Sequence, residues 1–375
     1  MASSTLMSPT TTPAQLLGGW DHLEFWVGNA RAVAHFFMSG FGFTCTGYAG
    51  PETGVRDRVS YVLEQGQVRF VVTGGLTGDS SVAAHVLRHG DGVRNPVWTV
   101  ADVDAAFEAA VVQGAPVVAE PHDDHGGDAG VVRSAAIATY GETRHVFVDR
   151  SRYRGLFGPG VSGERLPVVA IGWPVGLDHI DHVVGNVEEG RLDEWVAWYE
   201  RVLGFSQMRH FDADAISTEY SALRSTVVWN RGNVVMPLNE PAEGRRKSQI
   251  QEYLETYVGP GVQHIALATA DIVTAVDALQ ARGVRFLVPP ATYYDDAKVR
   301  CAGLDVPWAD LERLGILVDV DAGGHLLQVF TENVTDRPTV FIEVIQREGA
   351  SGFGEGNFKA LFEAIEREQE RRGNL

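Results

Sequence analysis

Three side chains, far apart in the chain, are of the types a transition-metal site needs: His182 in IDHVVGN, His264 in GVQHIAL and Glu343 in PTVFIEVIQR. Glu343 is flanked by Val340, Phe341, Ile342, Val344 and Ile345, an apolar run of strand formers. An ionised carboxylate there is costly unless it is paired or bound to a metal. A salt bridge to Arg347 or another basic residue meets that requirement as well as a metal does. Each histidine, taken singly, reads as a hydrogen-bonded strand residue. Taken together, two imidazoles and one carboxylate suit iron bound on one face, with open positions left for a substrate and for dioxygen.

Other polar residues share this placement among apolar strand neighbours: Gln328 in HLLQVF, Asn239 in VVMPLNEP and Ser225 in SALRSTVV. Each could satisfy a buried backbone group, and together they could position a polar organic substrate. Three further patterns are weaker. His122 and His125 in PHDDHGGDAG have ligand-like spacing but read as a solvated turn. Gly352, Gly354 and Gly356 imitate a nucleotide loop, but the helix after them closes the chain and leaves no room for a βαβ unit. Arg245, Arg246 and Lys247 form a short basic cluster that reads as a loop.

The elements that must carry these residues come from an internal repeat. Residues 90–121 lie without a gap on residues 259–290, matching Gly90 with Gly259, Asp102 with Asp271, Gly114 with Gly283 and Pro121 with Pro290. Each copy reads as strand, Asp N-cap, amphipathic helix, terminal Gly and short strand. A looser pair aligns Asp21-His22 with Asp181-His182. Four strand–helix–strands units follow, two in each half, and a duplication explains them. In the gapless repeat His264 faces Asn95, a poor metal ligand, so a metal belongs to the second half. Strand alternation puts His179 on the face opposite His182, and Gln263 on the face opposite His264.

The expected layout is a disordered tail over residues 1–16, a first domain without metal over 17–150, a Gly- and Pro-rich linker over 151–176, and a metal-binding domain over 177–375. Phe358, Leu361, Phe362 and Ile365 form one apolar face of a closing helix. The chain has 375 residues, enough for two cores. Its formal net charge of −18 argues against nucleic acid and against an anionic membrane surface. No apolar run approaches a membrane span, the start lacks a secretory pattern, and Cys45 and Cys301 are too few for a disulfide framework, so a reducing cytoplasm is expected.

The stretches IDHVVGN, TEYSALRS, NEPAEGRRKSQIQEY, GVQHIAL, HLLQVFTENVTDRPTVFIEVIQR and GFGEGNFKALFEAIE, in this order, resemble those of 4-hydroxyphenylpyruvate dioxygenases. The resemblance covers nearly the whole chain after the tail. It implies an α+β, vicinal oxygen chelate fold of four βαβββ modules in two domains forming open barrels, with a C-terminal lid helix. It also implies an Fe(II) cofactor on His182, His264 and Glu343, with 4-hydroxyphenylpyruvate and O2 as small-molecule partners. The implied products are homogentisate and CO2, formed by oxidative decarboxylation, ring hydroxylation and side-chain migration in tyrosine catabolism. By motif position Ser225, Asn239, Gln249, Gln263 and Gln328 would line the substrate pocket, with Ser225, Asn239 and Gln328 closest to the chemistry. Phe330, Phe341, Phe353 and Phe358 would form its aromatic walls, and Asn357 would stand at its mouth. A homodimer or larger assembly is implied as well.

Pro260 and the composition of residues 292–311 depart from the family pattern, though neither touches a proposed ligand. Two rivals remain. A 4-hydroxymandelate synthase would share substrate and iron but hydroxylate the benzylic carbon; Asn239 favours the ring-hydroxylating enzyme, because mandelate-forming relatives carry an apolar residue there. A non-catalytic binding protein of the same fold would have no need of His182, His264 and Glu343.

Overall fold

The computed structural model describes residues 11–164, 166, 173–211, 222–290 and 292–373. The first ten residues of the expected tail, residues 165 and 167–172 of the expected linker, and the opening of the TEYSALRS stretch lie outside them.

Among the described residues the strands fall into two sheets of eight. The first contains β1 (Leu17–Trp26), β2 (Thr44–Ala49), β3 (Arg58–Gln65), β4 (Val68–Gly75), β5 (Gly92–Val100), β6 (Val117–His125), β7 (Val131–Ala138) and β8 (Arg144–Asp149). The second contains β9 (Leu177–Asn186), β10 (Ser206–Phe211), β11 (Ala222–Trp229), β12 (Val235–Ala242), β13 (Gly261–Thr269), β14 (Leu317–Asp321), β15 (Gly324–Phe330) and β16 (Phe341–Glu348). Their orders are β2-β3-β4-β1-β5-β8-β7-β6 and β10-β11-β12-β9-β13-β16-β15-β14, the same sequence of strands advanced by eight. In each sheet the two middle strands run antiparallel (β1 with β5, β9 with β13). Each middle strand also has a parallel partner on its outer side, β4, β8, β12 and β16 respectively. Every βαβββ module thus places its first strand at the sheet centre and its last beside it. The fold is the α+β, vicinal oxygen chelate architecture, each sheet curling into a half-barrel.

The repeat carries its own start signals. Asp102 accepts from the Ala105 amide and Asp271 from the Thr274 amide, both at 3.0 Å, capping helices Val103–Val112 and Ile272–Ala281. Each helix buries alternate turns against its own sheet: Val103, Ala106 and Ala110 in one, Ile272, Ala275, Val276 and Leu279 in the other. The halves share a core, since Leu23, Phe25 and Phe70 of the first belong to one buried cluster with Val183, Ile265 and Ile342 of the second. Gln65 stitches the halves together: its Oε1 accepts from the amides of Val175, at 2.7 Å, and Leu177.

Three expectations need correction. Residues 13–16 of the tail form a helical turn whose Pro13 and Ala14 are buried, because Ala14 and Leu16 pack on a cluster that contains Trp98, Val103 and Phe205. Part of the linker pairs with the first half, Ser162 bridging to Tyr48 and Tyr153 to Gly130. His122 and His125 lie on the exposed edge strand β6 rather than in a turn, and His122 Nδ1 bonds the Glu120 carbonyl at 2.9 Å.

Candidate metal centre

The centre is built on the three adjacent strands β9, β13 and β16. Ala266 of β13 pairs with His182 on one side and with Glu343 on the other, while His264 lies two residues earlier on the same face of β13. Two β-bulges adjust this register. Between the pairs Val262–Gly185 and His264–Val184, β13 carries one extra residue, Gln263; between Ala266–His182 and Leu267–Ile180, β9 carries one extra residue, Asp181. A bulge re-aims side chains, so each histidine has as its neighbour a residue that strict alternation would have sent to the opposite face.

Those neighbours hold the rings. Asp181 Oδ1 lies 2.6 Å from His182 Nδ1, and Gln263 Oε1 lies 3.1 Å from His264 Nδ1. An acceptor on Nδ1 places the proton there and leaves the Nε2 lone pair for a cation. The two Nε2 atoms meet the same oxygen, Glu343 Oε2, at 3.2 Å from His182 and 3.5 Å from His264. One ligand atom from each of the three residues falls within 4.8 Å of the others. Glu343 is 2% exposed and His182 3% exposed. The salt bridge to Arg347 that could have explained Glu343 is not made; Arg347 turns to Asp181 instead, with Nε at 2.7 Å and Nη2 at 2.9 Å.

The three side chains are electrostatically coupled. Burial alone would push the Glu343 carboxyl up, but the imidazoles of His182 and His264 outweigh it and hold the carboxyl below its ordinary value. Burial alone would push His182 down, but Glu343 and Asp181 reverse the direction and raise it. For His264 burial wins, and its value is lowered. The buried carboxylate thus calls for a positive charge beside it. Metal binding at such a site displaces protons from its ligands.

A cavity of about 590 Å³, including its open mouth, lies over the three residues. Ser225, Asn239, Gln249, Gln263, Phe330, Phe341, Phe353 and Phe358 all line it, together with Leu223, Pro237, Leu361 and Phe362. Ser225 and Asn239 are paired residues of β11 and β12, so their side chains share a face. Phe341 stacks on the His264 ring at 4.7 Å, and Phe353 meets the His182 ring edge-on at 5.3 Å. Leu361 and Phe362 come from the helix Phe358–Arg371, whose apolar face closes the cavity. No lysine or arginine among the described residues lines it. A larger hollow, about 910 Å³, opens beyond Gln249, Gln263, Phe341 and Ile365, but it is walled by polar residues and contains neither histidine.

Gln328 and Asn357 are not on the lining. Gln328 is buried against Gly354, and neither its Nε2 nor its Oε1 has a hydrogen-bond partner among the described residues. Asn357 is fully buried rather than at the mouth; its Oδ1 accepts from Tyr293 Oη at 2.7 Å and from Arg300 at 3.1 Å. Tyr293 and Arg300 belong to the stretch of unusual composition, which folds as helices Tyr293–Arg300 and Trp308–Leu314. Sequence reasoning missed the Asp181–Arg347 pair. The signal was there, since Asp21 precedes His22 as Asp181 precedes His182, but nothing local says which arginine answers it.

Residues 177–312 match the model of the Glyoxalase/Bleomycin resistance protein/Dioxygenase superfamily. A 4-hydroxyphenylpyruvate dioxygenase of Dictyostelium discoideum is 48% identical over 95% of this chain and 100% of its own length. The chain belongs to the 4-hydroxyphenylpyruvate dioxygenase family. Another member, from Yarrowia lipolytica, is 44% identical with both chains covered in full. Among solved structures, a triple mutant of 4-hydroxymandelate synthase from Streptomyces coelicolor superposes with a TM-score of 0.84 and is 34% identical, covering 94% of this chain and 99% of that one. Family membership and the converging imidazoles and carboxylate make this a metal-dependent oxidoreductase acting on a small molecule. No helix among the described residues is long and apolar enough to cross a membrane.

Proposed function

We propose that this chain is an Fe(II)-dependent dioxygenase that converts 4-hydroxyphenylpyruvate and O2 to homogentisate and CO2 in tyrosine catabolism, with His182, His264 and Glu343 as the iron ligands. The observation that carries the reading is the meeting of both Nε2 atoms on one buried carboxylate oxygen, under a cavity lined by aromatic rings and a few amides. The donor set fits iron: two imidazoles and a carboxylate would hold it and leave positions open for substrate and oxygen. Bound there, iron supplies the redox chemistry with dioxygen.

The chain's own residues account for binding and protection. No lysine or arginine among the described residues lines the cavity, so an ion held by His182, His264 and Glu343 would be the positive charge that a substrate carboxylate meets. A 2-oxo acid is therefore drawn in by its carboxylate end, which fixes the ring at the other end among Phe353, Phe358 and Phe362. Ser225, Asn239, Gln249 and Gln263 offer hydroxyl and amide groups that orient the substrate without adding charge. The apolar face of the closing helix excludes water, which would otherwise quench reactive oxygen species. Gln328, an unsatisfied buried amide one layer below the lining, can turn to the substrate when it binds. We further propose a first domain over residues 17–150 that binds no iron, a catalytic domain over 177–375, a cytoplasmic location and a homodimer or larger assembly.

A 4-hydroxymandelate synthase is the second reading, because a mutant of such an enzyme is a close structural neighbour. Asn239 on the lining supports the ring-hydroxylating reaction, since a polar group there can reach the phenol end. Incubating the iron-loaded chain with 4-hydroxyphenylpyruvate and identifying the product decides between them: homogentisate is expected, and mandelate without homogentisate overturns the proposal. His182→Ala should lose iron while His22→Ala retains it, and full iron in the His182 variant would refute the ligand set.

A further inference from the structure

The first half contains a second convergence of two histidines and a glutamate. His85 and His89 lie one turn apart on helix Ser81–His89, and Glu142 comes from the turn between β7 and β8. Glu142 Oε2 is 3.0 Å from His85 Nδ1, and Oε1 is 3.3 Å from His89 Nε2. Metal–ligand bonds of about 2.1 Å place neighbouring donor atoms roughly 3.0–3.4 Å apart, so these separations suit an ion, although the contact of His85 is also that of a hydrogen bond. They also match the 3.2 and 3.5 Å found around Glu343. One donor from each of the three residues lies within 4.8 Å of the others.

The tautomer of His89 makes the case. Its Nδ1 lies 2.5 Å from the Tyr257 carbonyl, so Nδ1 carries the proton and donates it. The lone pair on Nε2 then points at a carboxylate oxygen, and this buried atom has no hydrogen-bond partner among the described residues. A cation between the two atoms, an ion or a proton, satisfies both at this 3.3 Å separation. Tyr257 also backs His85, its Oη lying 3.4 Å from Nε2, so one residue of the second half orients both rings, as outer partners of metal-bound histidines do. Glu142 is partly exposed, which leaves room for water to complete the coordination.

We propose that His85, His89 and Glu142 form a second binding site for a borderline divalent transition ion, structural in role, which ties helix Ser81–His89 to the β7–β8 turn and to the second half through Tyr257. Arg88 at 3.1 Å and Arg94 at 4.0 Å also reach Glu142, so their charges weaken this site relative to the catalytic one. Arg94 spends part of its charge on the Trp26 face at 5.2 Å.

The test is an anaerobic Co2+ titration of the metal-free chain, followed by absorbance, with elemental analysis after desalting. The wild type is expected to take up two equivalents, the second at least tenfold weaker, and His182→Ala one. Adding His89→Gln or Glu142→Gln to His182→Ala should remove the last equivalent, together with the rise in thermal midpoint that Zn2+ gives His182→Ala. A single equivalent in the wild type overturns the proposal, and so does a second equivalent that survives both substitutions. Glu142 is in a partly exposed turn, so its variant keeps the question open to test even if the buried His89 variant does not fold.

Discussion

Arg347 offers the sharpest test of how the centre is held. It grips Asp181 through Nε at 2.7 Å and Nη2 at 2.9 Å, reaches the Gly352 carbonyl at 2.6 Å and lies over the Phe353 ring. Asp181 in turn holds His182 at 2.6 Å. Arg347→Met leaves that carboxylate with the imidazole alone. Breaking a buried pair costs about 3–5 kcal/mol when it is fully enclosed; with 22% and 12% of the two side chains exposed, roughly 2–3 kcal/mol of folding stability is expected to go. Loosening an outer partner of a metal-bound histidine costs about 10–100-fold in metal affinity, or roughly 1.4–2.7 kcal/mol. The first half supplies the control. Arg150 grips Asp21 at 2.9 and 3.0 Å, Asp21 lies 2.6 Å from His22, and Phe157 sits beneath the guanidinium. Arg150→Met should cost similar stability, measured by urea unfolding, while leaving the Co2+ affinity of the catalytic site within about twofold. Equal loss of affinity in both variants, or none in Arg347→Met, would refute the idea that the Asp181–Arg347 pair acts on His182 rather than on the fold at large.

Three further outcomes are expected. Acid should destabilise the chain through His145, which stacks on Trp98 and whose value burial lowers to about 3. The unfolded chain binds that proton near pH 6.5, so stability is unaffected above 6.5 and falls by up to about 1.4 kcal/mol per pH unit below it, until the folded value is reached; His145→Gln should flatten the slope of urea-derived stability between pH 6.5 and 4.5, and an unchanged slope removes His145 from the account. Gly354 adopts a φ of +79°, and a Cβ there would overlap the Gln328 side-chain amide, so Gly354→Ala should displace the segment carrying Phe353, raising KM for the oxo acid several-fold with Co2+ affinity preserved. Removing metal with a chelator should abolish oxygen uptake, and Fe2+ should restore it, whereas restoration by Mg2+ alone would contradict the ligand chemistry.

Much of this was legible in the sequence because the duplication let one half be read against the other. The Asp N-caps at 102 and 271 and the gapless register predicted the modules, and Asn95 opposite His264 pointed to the second half. What alternation could not show was Gln263. A period of two sends it away from His264, yet the extra residue in β13 brings both to the cavity. Bulges leave no local signature, since they depend on the register of the partner strand. The convergence of His85, His89 and Glu142 escaped for a related reason: the two histidines are visible at helical spacing, but the glutamate arrives from a turn 53 residues beyond His89.

The same bulges occur in the first half, where Asp21 is the extra residue of β1 and Arg94 that of β5. Val97 pairs with Val146 there as Ala266 pairs with Glu343 in the second half. The first half therefore has the backbone of the centre, the histidine His22, its carboxylate and its arginine, but Asn95 and Val146 stand where His264 and Glu343 would be. Outer support persists without the inner ligands, so that support is a property of the duplicated sheet and does not depend on a metal to form it. It follows that the second half folds with His182 already aimed, and that a metal ion would enter a site whose ordering cost was met during folding. Exchanging Asn95 for His and Val146 for Glu should then raise the metal capacity of the chain by one equivalent, and a double variant that folds yet gains no equivalent would show that the shared backbone is not sufficient.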